Sequence, residues 1–110
     1  MLVQASGPVY HVCKSGQVAV GEVASATMVF SSDCNLFSPA RPSYSNPKDL
    51  CGQYNNGVFV HCDSSDKTVR SVTTSDGSTF SSCTKVDDGT FCASGSGSAP
   101  GAYVKWCCRK

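Results

Sequence analysis

Eight cysteines in a chain of 110 residues are the feature that most constrains the fold. They are scattered along the chain, and none of them forms a C-x-x-C pair with another. Zinc knuckles and thioredoxin-type redox sites both use closely spaced thiols, so neither kind of site is predicted. The spacing instead predicts up to four disulfides, with the pairing left open, among Cys13, Cys34, Cys51, Cys62, Cys83, Cys92, Cys107 and Cys108.

The cysteine content also indicates where the protein works. Disulfides persist in oxidising compartments, so we expect a secreted, extracellular protein. A chain of 110 residues has room for one domain, which we expect to span residues 1–110. Its hydrophobic core is modest, and each disulfide is expected to add about 2–4 kcal/mol of stability by restricting the unfolded chain.

The charge balance argues against several classes of partner. Nine basic and eight acidic residues give a net charge of +1, which creates no strong field for nucleic acid or an anionic membrane. No apolar run approaches the roughly 20 residues of a membrane-spanning helix. We expect a monomer without a membrane span or a cofactor, whose partner is a host protein or a cell-surface ligand.

The segment from Val18 to Phe30 carries two competing patterns. Val18 and Val20 alternate as in a strand, whereas after Gly21 the apolar residues recur at three- and four-residue steps. Glu22 would lie in the first turn of such a helix, where the helix dipole favours a negative charge. We predict a helix of about three turns, with one apolar face formed by Val23, Ala26, Thr27 and Phe30.

The rest of the chain is typical of strands and loops. Residues 37–49 contain three prolines and are predicted to form a long loop between Cys34 and Cys51. Residues 58–62 alternate like a strand, and Ser75-Asp76-Gly77 is a hairpin turn between residues 68–74 and 78–84. Residues 102–108 are predicted to form a last strand.

An early helix followed by antiparallel strands indicates an α+β fold, with one N-terminal helix packed on an antiparallel sheet and braced by disulfides. The alternative is an all-β sandwich or barrel, which follows if the segment from Val18 to Phe30 is strand.

The segment that starts at Cys13 and reads CKSGQVAVGEVASA resembles the start of the small fungal extracellular guanyl-specific ribonucleases and of ribonuclease-like secreted fungal effectors. That family has an aromatic residue shortly before its first cysteine and an apolar residue about five positions after it. A helix then carries Val and Ala ten and thirteen positions after the cysteine. The matching residues here are Tyr10, Val18, Val23 and Ala26.

The resemblance implies an N-terminal helix on an antiparallel sheet, and a disulfide from Cys13 to Cys107 or Cys108. The catalytic pattern of the family is not reproduced. In Arg41-Pro42-Ser43-Tyr44 a serine stands where the family has its catalytic histidine. Glu22 is the only glutamate of the chain, and it lies in the predicted helix.

Cleavage of RNA by transphosphorylation needs a base, an acid and a cation for the phosphate charge. If the protein is a ribonuclease, these groups are His11, His61 and Arg70, with Asp63 as a further candidate. Strand alternation predicts that His61 faces solvent, opposite Val60.

Other catalytic or metal chemistry has little support. No G-x-S-x-G nucleophile elbow is present. The two histidines and Asp33, Asp63 and Asp66 lack the local spacing of a metal site, and residues 63–66 are better explained as a turn that ends a strand. Cys107 and Cys108 are neighbours, and alternation along a strand predicts that their disulfides link separate layers.

Several aromatic residues could form a stacking face for a sugar or a base, and Tyr44, Tyr54 and Trp106 are our candidates for binding. Phe59 and Tyr103 are further aromatic residues that could contribute.

Compartment, size and resemblance together predict a secreted effector, elicitor or toxin-like virulence protein of the fungal small-secreted-protein type. We expect it to recognise a host or competitor target without turnover. The alternative is an extracellular endoribonuclease that cleaves single-stranded RNA by histidine acid–base catalysis.

Overall fold

The computed structural model describes residues 12–45, 48–86, 90–92, 98–99 and 101–110. Within these residues the chain forms nine β-strands in two antiparallel sheets, and the only helical element is a 3-10 turn at Asn55–Gly57. The predicted α+β fold with an N-terminal helix is therefore wrong. The all-β alternative, two sheets packed as a sandwich, describes the chain.

Five strands form the first sheet. They are β1 (Val18–Val23), β2 (Ala26–Ser31), β3 (Arg41–Pro42), β8 (Ser82–Lys85) and β9 (Tyr103–Arg109). Their order across the sheet is β3-β2-β1-β9-β8, so the last long strand lies beside the first one.

Four strands form the second sheet. They are β4 (Gly52–Gln53), β5 (Phe59–Cys62), β6 (Val69–Thr73) and β7 (Thr79–Phe80), and they lie side by side in chain order. The strand predicted at residues 58–62 and the turn around Ser75-Asp76-Gly77 are confirmed here as β5 and the β6–β7 pair. The strand predicted at residues 78–84 is divided between the sheets, because the chain leaves the second sheet after Phe80 and enters the first as β8.

The segment from Val18 to Phe30 is the β1–β2 hairpin. Its pairing runs from Val18 opposite Ser31 to Val23 opposite Ala26, which leaves residues 24–25 as the turn. Both faces of this hairpin are covered, so both carry apolar residues and the alternation typical of a half-exposed strand is hidden. The apparent helical spacing came from reading two strands and their turn as one continuous element.

The first hydrophobic core lies between the two sheets. It consists mainly of valines from both sheets, which pack face to face with little exposed surface: Val18, Val20 and Val29 from the first sheet, with Val58, Val60, Val69 and Val72 on the side of the second. Branched side chains of this kind pack well on a pleated surface, so this core holds the two sheets together.

A second core covers the opposite face of the first sheet. Ala19, Phe30 and Val104 point away from the second sheet into this cluster. Irregular segments of the chain cover it in place of a third sheet, and they contribute Cys13, Cys34, Cys92, Ala99 and Ala102. Most of β1 and β2 is therefore buried on both faces.

Four disulfides join all eight cysteines: Cys13–Cys107, Cys34–Cys92, Cys51–Cys62 and Cys83–Cys108. Cys13–Cys107 is one of the two pairings that the family resemblance implied. The helix that the same resemblance implied is absent, because the residues that carry it form β1 and β2.

The predicted loop at residues 37–49 contains a short strand. Arg41 and Pro42 pair with the end of β2 and form one edge of the first sheet as β3. An edge is the position in a sheet where a proline is tolerated, since its missing N–H removes no inner ladder bond.

The chain folds into a compact body. Its Cα radius of gyration is 13.4 Å, close to the ~13 Å of a folded domain of about this length. This compactness fits the expected monomer. None of the helices in the described part of the chain is long and apolar enough to cross a membrane.

Candidate binding surface

The outer face of the second sheet is open to solvent and carries a regular set of side chains. Gln53, Phe59, Thr73 and Thr79 are register neighbours on β4, β5, β6 and β7. They form a row across the sheet that is about 14 Å long, from three strand spacings of about 4.8 Å. His61 and Ser71 form the adjacent row. We call these six residues the Phe59 face.

Alternation along β5 puts the two ring-bearing residues of this surface on the same side. Val60 is almost fully buried between the sheets, so Phe59 and His61 on either side of it point outward. Their rings stack with centroids 4.5 Å apart and an interplanar angle of 29°. Phe59 keeps 37% of its surface exposed, which gives the face an apolar ridge.

A hydrogen bond fixes the imidazole on this ridge. His61 Nε2 lies 3.0 Å from Thr73 Oγ1 on the neighbouring strand. Ring stacking on one side and the hydroxyl on the other hold His61 in one orientation. The exposed surface therefore combines rigid rings with hydroxyl and amide groups.

The Phe59 face itself carries no carboxylate, ammonium or guanidinium group. The nearest charges in sequence are Arg70, which precedes Ser71 on β6, and Asp63, which follows the end of β5; the two form an ion pair at 2.9 Å. Arg70 sits where the β5–β6 register shifts. Hydrogen bonds from Ser65, together with Arg70, hold the pKa of Asp63 well below its usual value.

Residues 63–66 form the turn that we predicted after the strand. The Asp63 carboxylate accepts a hydrogen bond from Ser65 N at 2.9 Å, and Asp66 accepts one from Thr68 N at 3.0 Å. Both carboxylates therefore stabilise the turn by accepting backbone hydrogen bonds. The described residues contain no group of three or more His, Cys, Asp or Glu side chains that could hold a metal ion.

The structure describes two of the three residues that the ribonuclease hypothesis requires. His61 and Arg70 lie on the neighbouring strands β5 and β6, and both are exposed as predicted for His61. The His61 imidazole is hydrogen-bonded to Thr73, and the Arg70 guanidinium is hydrogen-bonded to Asp63. The two side chains therefore have separate partners. His11 lies outside the described residues.

The three binding candidates lie in three different environments. Tyr44 is 80% exposed on the loop after β3. Trp106 is partly buried at the margin of the core between the sheets. Tyr54 is buried. Its hydroxyl group donates a hydrogen bond to the Leu50 carbonyl oxygen at 2.8 Å, and the same hydroxyl oxygen lies 3.0 Å from Thr27 Oγ1. Burial raises the pKa of Tyr54, although the Thr27 bond and Arg41 oppose this effect.

Arg41 and Tyr54 close one end of the sandwich. The guanidinium carbon of Arg41 lies 4.1 Å from the centroid of the Tyr54 ring. The same guanidinium donates to the carbonyl oxygens of Asp49, Cys51 and Gln53 at 2.6, 3.0 and 3.2 Å. Arg41 thus joins the edge of the first sheet to β4 of the second.

The polar part of the Phe59 face was missed from the sequence. Gln53, Ser71, Thr73 and Thr79 are ordinary surface residues, and only the strand register brings them beside the two rings. The alternation of Phe59, Val60 and His61 was the signal that could have identified the ridge.

Comparison of the chain with protein-family models, curated proteins and solved structures finds no match.

Proposed function

We propose that this is an extracellular recognition protein, of the effector, elicitor or toxin-like kind, that binds a neutral saccharide on its target through the Phe59 face. One observation carries the proposal: an exposed aromatic ridge, formed by Phe59 and His61, stands in a row of uncharged hydroxyl and amide groups. Four disulfides fit an extracellular location, because they persist where thiols are not kept reduced.

The chemistry of the face matches the chemistry of a sugar. A pyranose has apolar C–H faces that pack on aromatic rings, and hydroxyl groups that both donate and accept hydrogen bonds. Gln53 and Thr73 offer donors and acceptors beside the Phe59 ring. A charged polymer would gain little here, since the guanidinium of Arg70, which precedes Ser71 on β6, is already paired with Asp63.

The rigidity of the face favours recognition. The His61 ring is held by stacking and by Thr73, so little side-chain entropy is lost when a ligand binds. Disulfide Cys51–Cys62 ties the end of β5 to the segment before β4, which further fixes the surface.

Affinity electrophoresis through gels that contain cellulose derivatives, xylan, mannan or β-glucan tests the proposal. We expect at least one neutral polysaccharide to retard the parent protein. Phe59→Ala should weaken that interaction about tenfold, since loss of one stacking ring costs about 1–3 kcal/mol. Tyr44→Ala, which removes an exposed aromatic ring from a loop, is the matched control and should bind like the parent.

Two outcomes would contradict the proposal. The first is that no neutral polysaccharide retards the parent, and the second is that Phe59→Ala binds as well as Tyr44→Ala. Amide chemical shifts of the variants, recorded without ligand, show whether each has kept the parent fold.

The ribonuclease hypothesis predicts a different result. It requires that the parent cleaves single-stranded RNA and that a His11→Ala, His61→Ala double variant does not. Cleavage with that dependence would favour the enzyme and overturn a role without turnover.

A further inference from the structure

A second exposed aromatic pair lies on the first sheet. Phe91 and Tyr103 form an isolated antiparallel bridge, and their rings stack with centroids 5.6 Å apart and an interplanar angle of 25°. Phe91 is 47% and Tyr103 51% exposed. Stacking removes only part of their apolar surface from water, so this pair keeps a surface that a ligand could cover.

Tyr103 also lines a cavity of about 300 Å³. The volume lies at the lower end of the range for small-molecule sites. Strand pairing builds the cavity: Glu22 on β1 lies directly opposite Tyr103 on β9, and Lys105 is the extra residue of β9 at a register shift. The loop after β3 adds Lys48. We call this site the Tyr103 cavity.

Gly21 sets the approach of the two strands at this point. A Cβ atom at Gly21 would lie 2.3 Å from the Tyr103 carbonyl oxygen and 3.0 Å from the Phe30 ring. Only a glycine lets β1 and β9 come this close, and this close contact fixes the backbone position of Tyr103.

The charges of the Tyr103 cavity are one carboxylate and two ammonium groups. Glu22 contributes −1, and Lys48 and Lys105 contribute +1 each, so the site carries a net charge of +1. All three of these residues are described by the structure, and no ion pair joins Glu22 to Lys48 or to Lys105. The lysines of the cavity are therefore not neutralised by a direct contact with Glu22.

We infer that the Tyr103 cavity binds an acidic sugar residue, a uronic acid, within an oligosaccharide. The sugar ring would pack on the Tyr103 ring, its carboxylate would bind Lys48 and Lys105, and Glu22 would accept a hydrogen bond from a sugar hydroxyl. The net charge of +1 matches one carboxylate. It matches a dianionic phosphate less well, because Glu22 would repel the second negative charge.

This inference is independent of the proposed function of the Phe59 face, which takes uncharged sugars. The two sites contain different residues on different sheets, so each can fail alone.

Titration of the ¹⁵N-labelled protein with a trisaccharide that contains a single galacturonic acid residue tests the inference. We expect amide shifts at residues 22, 103 and 105 and none on the Phe59 face. Tyr103→Ala should weaken binding about tenfold, and Lys105→Gln about fivefold. Lys14→Gln, a lysine that does not line this cavity, is the control and should bind like the parent.

The methyl ester of the same trisaccharide isolates the role of charge. It should bind the parent more weakly than the acid binds Lys105→Gln, because the ester loses the contacts with both lysines and the variant keeps the one with Lys48. Equal affinity for acid and ester, shifts outside the cavity, or no shifts at millimolar ligand would overturn the inference. Stronger binding by a single-stranded oligonucleotide at the same residues would also overturn it, because the ligand would then be a phosphodiester. Tyr103→Leu removes the aromatic ring but keeps an apolar side chain. It therefore distinguishes weaker binding caused by lost stacking from weaker binding caused by unfolding.

Discussion

Cys107 and Cys108 are adjacent in β9, yet their disulfides leave opposite faces of the sheet. Cys107 bonds to Cys13 in the core outside the first sheet, and Cys108 bonds to Cys83 in the core between the sheets. Alternation along a strand requires this arrangement. Cys107 therefore ties β9 to the irregular segment that covers the outer face of the first sheet, whereas Cys108 ties β9 to its neighbour β8 within that sheet. The prediction that the two bonds link separate layers holds for Cys107 and is wrong for Cys108.

The two disulfides that differ most in loop length should differ in their effect on stability. The cysteines are 94 residues apart in Cys13–Cys107 and 11 apart in Cys51–Cys62. Chain-entropy arguments then predict losses of about 4–5 kcal/mol for the Cys13→Ser, Cys107→Ser pair and about 3 kcal/mol for the Cys51→Ser, Cys62→Ser pair. Urea unfolding followed by Trp106 fluorescence, without reductant, measures both. An equal or larger loss from the shorter loop would contradict this account.

Arg41 should be difficult to replace, even by lysine. Its guanidinium bonds to three carbonyl oxygens and covers the Tyr54 ring, and a single ammonium cannot reproduce that geometry. We expect Arg41→Lys to lower the free energy of unfolding by about 2 kcal/mol. The same change at exposed Arg109 is the control and should stay within about 0.5 kcal/mol of the parent. Equal urea midpoints for the two variants would show that Arg41 has no special role.

Gly21→Ala should destabilise the protein although alanine is common in strands. The added methyl group would collide with the Tyr103 backbone, and β9 would have to move away from β1. Overpacking of this kind costs about 2 kcal/mol. Ser25→Ala, an exposed change in the turn of the same hairpin, controls for local effects. Thermal unfolding by circular dichroism gives the comparison, and an unchanged midpoint for Gly21→Ala would refute the close approach of the two strands.

Asp76 should contribute stability that is lost in acid. Its carboxylate accepts hydrogen bonds from the Thr74 hydroxyl at 2.7 Å and from Ser78 N at 3.0 Å. These bonds lower the pKa of Asp76 from 3.8 to about 2. A lowered pKa means that the contribution is complete above pH 3.8 and disappears as the pH falls through about 2.

The measurement is the difference in urea midpoint between the parent and Asp76→Ala at several pH values. We expect the largest difference at pH 5 and a smaller one as the pH approaches 2. A difference that stays constant over this range would mean that the charge of Asp76 is not the source of its effect.

Local patterns in the chain were sufficient for part of this structure. Alternation at residues 58–62 and the turn residues at 75–77 predicted β5 and the β6–β7 hairpin, because each signal comes from neighbours in the chain. The outward position of His61 followed from the same alternation. The scattered cysteines predicted disulfides, since no metal or redox motif uses that spacing.

Tertiary structure decided the rest. Whether residues 18–30 form a helix or a hairpin depended on their burial on both faces, which no local period reveals. The Phe59 face and the Tyr103 cavity depend on strand register, because Gln53, Thr73, Glu22 and Lys105 become neighbours of aromatic rings only after distant strands pair. The disulfide map likewise follows from which strands meet, because widely separated cysteines can bond only where the fold brings their backbones within reach.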